Sequence, residues 1–189
     1  MFKEIQLSNF RGIKFSGNIP LAPLTVFTGS EGSGKSSVGH FLTMLKQTVM
    51  TADSNVVLYP GDIDSNIQLG TQSSLLYKKL EGDLTFSYSF SLPEYLIMED
   101  PEKDRSGVPT QFLYGERIQF HCILSNKGAV HPFVKKFSYD LYDIDERVAT
   151  ATTLRTTLTT KRSEKVQYAV ETDGYNLKNK TGRPWLQKS

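Results

Sequence analysis

Gly29, Gly34, Lys35 and Ser36 stand in the order G-x-x-x-x-G-K-S within FTGSEGSGKSSVGHFLTML, a stretch that begins at Phe27. These residue types suit a polyphosphate. Glycines at 29, 32 and 34 let the backbone wrap closely around phosphate oxygens and turn successive N–H groups toward them. Lys35 reaches the β- and γ-phosphates, and the Ser36 hydroxyl can ligate Mg²⁺. The expected nucleotide cradle is Gly29, Ser30, Glu31, Gly32, Ser33, Gly34, Lys35, Ser36 and Ser37, with ATP and Mg²⁺ as its ligands and Lys35 as the catalytic cation. The bland alternative is a flexible Gly/Ser turn that happens to precede a helix.

A phosphate cradle needs a strand before it and a helix after it. Leu24, Thr25, Val26 and Phe27 form a compact run with neither face polar, the pattern of a buried central strand. Beyond the glycines, Val38, Phe41, Leu42, Leu45 and Val49 recur at helical spacing, which predicts a helix over 36–50 with those residues inward. The positive end of that helix would face the anion. Upstream, Ile5 and Leu7 share one face of a short strand that leads into a turn at Arg11-Gly12.

The remainder changes character. Leu84, Phe86, Tyr88, Phe90 and Leu92 alternate with Thr85, Ser87, Ser89 and Ser91, a half-exposed strand with its hydroxyl face toward water. Similar alternation marks Ile118 to Leu124, Phe137 to Leu141 and Val166 to Val170, and the threonine-rich run from Thr150 is strand-prone. One further short helix is expected from Thr71. The fold class read from these patterns is α/β with α+β character: a P-loop strand–loop–helix joined to an antiparallel β-meander. A single nucleotide-binding lobe is expected over 1–189, with a P-loop core over 1–82 and a β-rich part over 83–189.

Composition sets outer limits. The chain has 189 residues, 38% hydrophobic and 22% charged, enough for a packed core. Lys and Arg number 22 against 20 Asp and Glu, a balance that predicts no general attraction to nucleic acid or an anionic membrane. One cysteine, Cys122, excludes an internal disulfide, and its place in an alternating run puts it on a buried strand face. The three histidines, His40, His121 and His131, lack ligand spacing and read as ordinary surface or core residues. No signal-peptide pattern and no apolar run of bilayer length is found, so a cytoplasmic protein with no membrane partner is expected.

From Phe2 to about Gln47 the sequence resembles the opening of ABC-type ATPases of the RecF, SMC and OLD (overcoming lysogenization defect) kind. Those begin with a strand, an L-x-N-F-[RK] element, a second strand and then LTVLTGxNGSGKSS, against LSNFR and LTVFTGSEGSGKSS here. The resemblance implies ATP-driven homodimerisation with the nucleotide sandwiched between subunits, and control of a nuclease or DNA partner. Within that group the chain looks most similar to standalone bacterial ATPases of anti-phage defence. The same resemblance casts Arg11 as an arginine that approaches the nucleotide, although a turn arginine is ordinarily just solvated. It casts Gln72 as the glutamine that contacts Mg²⁺ and the attacking water, although Gln72 also suits the first turn of a helix.

The chain departs from that pattern in two ways. Glu31 stands where the family has Asn, and a carboxylate near phosphates is unfavourable unless it points outward. No LSGG-like signature or late switch histidine is present, so the chain is expected to bind ATP without turning it over, as the N-terminal part of a longer ATPase. YLIMEDPE, Tyr95 to Glu102, is similar to the family's hhhhEEPE string, in which Glu99 would hold Mg²⁺ through water and Asp100 would polarise the attacking water. Pro93, the missing signature and the alternating flanks instead place 93–117 on a connecting surface excursion. Asp62 and Asp64, in PGDID, read as turn chemistry rather than a metal pair. Two alternatives remain: a small P-loop kinase, which would need further βα units after residue 80, and an interaction module that binds nucleotide without turnover.

Overall fold

Strand β1 (Phe2–Phe10) and strand β2 (Ile13–Phe15) form a hairpin closed by Arg11-Gly12, with Ser8 opposite Phe15 and Phe10 opposite Ile13. A short strand β3 (Ile19–Pro20) also pairs with β1. Helix α1 (Lys35–Met50) follows, then two 3-10 turns (Gln72–Leu75 and Tyr77–Lys79). Five strands complete the chain: β4 (Leu84–Glu99), β5 (Phe112–Ser125), β6 (Phe133–Asp143), β7 (Glu146–Thr160) and β8 (Ser163–Asp173). This is a computed structural model that describes residues 1–51, 56–79, 82–99, 106, 112–125, 132–143, 146–160 and 163–173.

The α/β expectation is corrected by the sheet. Its strand order is β2-β1-β4-β5-β6-β7-β8, and β1–β2, β6–β7 and β7–β8 are all antiparallel. Met1 bonds to Ser91 and the Asn9 side chain to Asp83, so position rises along β1 as it falls along β4, and that pair is antiparallel too. The expected P-loop strand does not form. Residues 24–27 lie outside every strand, with Leu24 81% and Val26 74% exposed. A run that is apolar on both faces becomes a strand only with neighbours on either side. Pro20 and Pro23 remove two of the approach's N–H donors. Helix α1 is also the only helix longer than a single 3-10 turn among the described residues, which gives the kinase alternative no further βα unit.

The chain divides into two units. One comprises Ile5–Phe86 and Cys122–Lys135; the other comprises Met1–Glu4, Ser87–His121 and Lys136–Ser189. In the first, α1 packs through Phe41, whose ring meets Phe10 edge-on at 5.3 Å and Phe86 at 4.9 Å. The buried face of the helix is Ser37, Val38, Phe41, Met44 and Gln47. It is rotated from the expected stripe, leaving Leu42 and Leu45 half-buried and Val49 exposed. Gln47 explains the rotation, because its Nε2 donates to the carbonyls of Tyr59 at 2.9 Å and Ile67 at 3.4 Å, drawing its face inward. The short helix expected from Thr71 is two 3-10 turns, separated by an extended Leu76.

In the second unit, Phe2, Tyr88, Phe90, Phe120, Phe137 and Tyr139 form a row of touching rings across β1, β4, β5 and β6. Ser87 and Ser89 are buried, against the expectation of a solvated hydroxyl face. A serine is small enough to be covered by larger neighbours, which alternation of polarity does not reveal. β4 also runs unbroken through Pro93 to Glu99, so the expected excursion at 93 is a strand. By the pairing of Met1 with Ser91, Pro93 lies past the end of β1, where a missing N–H costs no ladder bond on that side. Asp100 and the side chain of Glu99 lie outside the described residues. Among the described residues no helix is long and apolar enough to cross a membrane.

Candidate functional site

The glycine loop joins the coil after residue 23 to α1. Gly34 caps the helix in the left-handed region, φ 88° and ψ 4°. A side chain there would be strained, and its Cβ would lie 2.9 Å from Ile13 Cγ1. In the first turn of α1 the Ser37 N–H donates back to the Gly34 carbonyl at 2.9 Å, and the positive end of the helix lies at the loop. Lys35 turns back over the loop: its Nζ donates to the carbonyls of Gly29 at 2.8 Å and Ser30 at 2.5 Å, with Ser33 Oγ at 3.4 Å. The loop therefore already closes around a cation. Ser37 is buried and its Oγ accepts from the Gly12 N–H at 3.4 Å, fastening the β1–β2 turn to the helix start.

Two cavities flank this loop, and Gly12, Ser33, Gly34 and Lys35 line both. One, about 460 Å³, adds Arg11, Glu31, Ser36, His40, Ser74 and Lys78. The other, about 470 Å³, adds Gly29 and Ser30 together with Ile19, Val38 and the rings of Phe15 and Phe27. Arg11 thus lines the first cavity together with Glu31, Gly32, Ser33, Gly34, Lys35, Ser36 and Ser37, whereas Gly29 and Ser30 line only the second. Glu31 is exposed and is the one carboxylate lining the first cavity among the described residues. Burial, and then the charge of Arg11, hold the His40 imidazole below its usual pKa.

Gln72 begins the first 3-10 turn, and its side chain lies outside the described residues. Asp62 builds a turn: its Oδ1 accepts from the Asp64 N–H at 3.1 Å and the Ser65 hydroxyl at 2.8 Å. The Tyr59 hydroxyl, and then the Ser65 hydroxyl and the Asp64 N–H, hold its carboxyl below the usual range. No cluster of three His, Cys, Asp or Glu fit for a metal exists among the described residues.

No family model matches this chain, and neither a curated protein nor a solved structure does.

The donor set therefore decides what fits. Arg11, Lys35 and Lys78 face one carboxylate, which suits a polyanion and not a free cation. The Ser36 hydroxyl, which lines the first cavity, is an oxygen that could ligate a Mg²⁺ ion if a polyphosphate brought one. Sequence reading passed over His40, Ser74, Lys78, Phe15 and Phe27. His40 was within reach, because it stands four residues after Ser36 and three after Ser37, on the same helix face. Lys78 carries no local signal, since only the packing of the 3-10 turns brings it to the loop.

Proposed function

We propose that this chain binds Mg²⁺-ATP, with the phosphates on the loop from Gly29 to Ser37 and the base in the cavity beside Phe15 and Phe27. The position of Lys35 carries the reading. A cation over the loop's own carbonyls, at the positive end of a helix, is arranged to exchange those carbonyls for phosphate oxygens. Bound Mg²⁺ would neutralise charge on the outer phosphates. The rings of Phe15 and Phe27, set in the second cavity among polar neighbours that include Lys14, Ser16 and Thr28, offer faces on which a planar base stacks without needing a specific edge. Homodimerisation on ATP and control of a nuclease or DNA partner are the remaining parts of the proposal, and they rest on the resemblance to RecF, SMC and OLD ATPases.

Titration of labelled Mg²⁺-ATP tests the reading. Lys35→Ala is expected to weaken binding at least about tenfold, equivalent to about 1.4 kcal/mol. Equal affinities would reduce the glycine loop to a turn.

A further inference from the structure

Three left-handed residues other than glycine occur among those described: Asn9 (φ 58°), Arg11 (φ 46°) and Lys78 (φ 50°). All three meet at one junction. Asn9 Oδ1 accepts from the Tyr77 N–H at 3.2 Å and its Nδ2 donates to the Asp83 carbonyl at 3.3 Å. The Arg11 N–H donates to the Leu75 carbonyl at 2.8 Å, and its guanidinium to the Leu69 carbonyl at 3.4 Å. The hairpin and the 3-10 turns are thus pinned together in conformations that both resist. Arg11 occupies the first position of a two-residue hairpin turn, where a positive φ favours glycine, while the glycine stands second. Strain of this kind persists where the surroundings over-determine it, and it collects at ligand clamps.

What the strain achieves is a meeting of charges. Arg11 and Lys78 enter the 460 Å³ cavity from the two pinned elements, and His40 enters from α1. Lys35 lines the same cavity, and Glu31 is its single opposing charge among the described residues. If Lys35 and the loop take the inner phosphates, Arg11, His40 and Lys78 are the further polar side chains of the same cavity that a next anionic group could reach.

We propose that Arg11, His40 and Lys78 form a second anion subsite that takes the terminal phosphate, so that the site separates nucleoside triphosphates from diphosphates. The proposal rests on the nucleotide reading of the loop. One added charge-assisted contact corresponds to about a tenfold preference.

The experiment compares Mg²⁺-ATP with Mg²⁺-ADP on the wild-type chain and on Lys78→Met, His40→Gln and Lys35→Ala. Lys78 is exposed and His40 half-buried, so neither change removes core packing. The wild type is expected to prefer ATP about tenfold. Lys78→Met should cut ATP affinity at least about threefold, and His40→Gln, which removes a neutral imidazole, by less, each with ADP affinity held within about twofold. Equal wild-type affinities, or variants that weaken both nucleotides alike, would overturn the subsite. In that event, loss of both nucleotides in Lys35→Ala would leave the loop reading standing. If neither nucleotide binds the wild type, the loop reading fails and the subsite with it.

Discussion

The Lys35 ammonium lies 2.8 Å from the carbonyl oxygen of Gly29, so the cation at the start of α1 closes on the residue that opens the loop. That contact fixes the size of the ring the backbone makes. It also sets what must change on binding, because an arriving phosphate has to draw Nζ from the Gly29 and Ser30 carbonyls. The ring also depends on the chain's reversal at Gly34.

Gly34→Ala should therefore be costly. A left-handed non-glycine residue costs about 1–2 kcal/mol, and overpacking against Ile13 adds about 1–3 kcal/mol. Urea denaturation is expected to show a loss of at least about 2 kcal/mol. Gly39→Ala is the internal contrast: that glycine is in mid-helix, exposed, and open space surrounds its missing Cβ. It should stabilise by about 0.5–1 kcal/mol. Equal effects at the two positions would contradict the cap geometry.

In the other unit, Gly115 on β5 lies directly against Leu141 on β6, and a Cβ there would collide with the Leu141 side chain. Gly115→Ala is expected to destabilise by about 1–3 kcal/mol. A double-mutant cycle with Leu141→Ala separates collision from propensity. The double variant should be more stable than the sum of the singles predicts, by at least about 0.5 kcal/mol. Strict additivity would mean that the two residues do not compete for space.

The legible parts were those written in local pattern. The helix was readable because five apolar positions and a glycine start coincide, and the structure begins it at Lys35, one residue before the expected start. Its inward face was misread because Gln47 is drawn in by the Tyr59 and Ile67 carbonyls, a polar anchor that apolar spacing does not count. Leu24 to Phe27 looked like a buried strand because composition records apolarity and not whether neighbouring strands exist. Arg11 was reached through its place in LSNFR, and His40 shared a helix face with Ser36. Lys78 was invisible, because Asn9 and Leu75 join segments far apart in sequence.

Cys122 gives a prediction with a pH sign. Burial pushes its thiol up to about 12, whereas an unfolded cysteine titrates near about 8.5. The native chain thus holds this proton where the unfolded chain releases it. The stabilising contribution is full below about pH 8.5 and is lost as pH rises toward about 12. At about pH 8 the native thiolate is scarce, so iodoacetamide should leave Cys122 unmodified until urea unfolds the chain. Mass spectrometry reads the adduct. Labelling of the native chain at the unfolded rate would contradict the burial.

The central claim is that the loop's own backbone receives the phosphates, and amide NMR shifts measure this most directly. On titration with Mg²⁺-ATP, the amides of Gly32, Gly34, Lys35 and Ser36 are expected to move together and to saturate at one affinity. Thr150 on β7 should stay in place, and Lys35→Ala should flatten the response of the loop. Loop amides that stay still while ATP shifts resonances elsewhere, or shifts that survive unchanged in Lys35→Ala, would contradict the account.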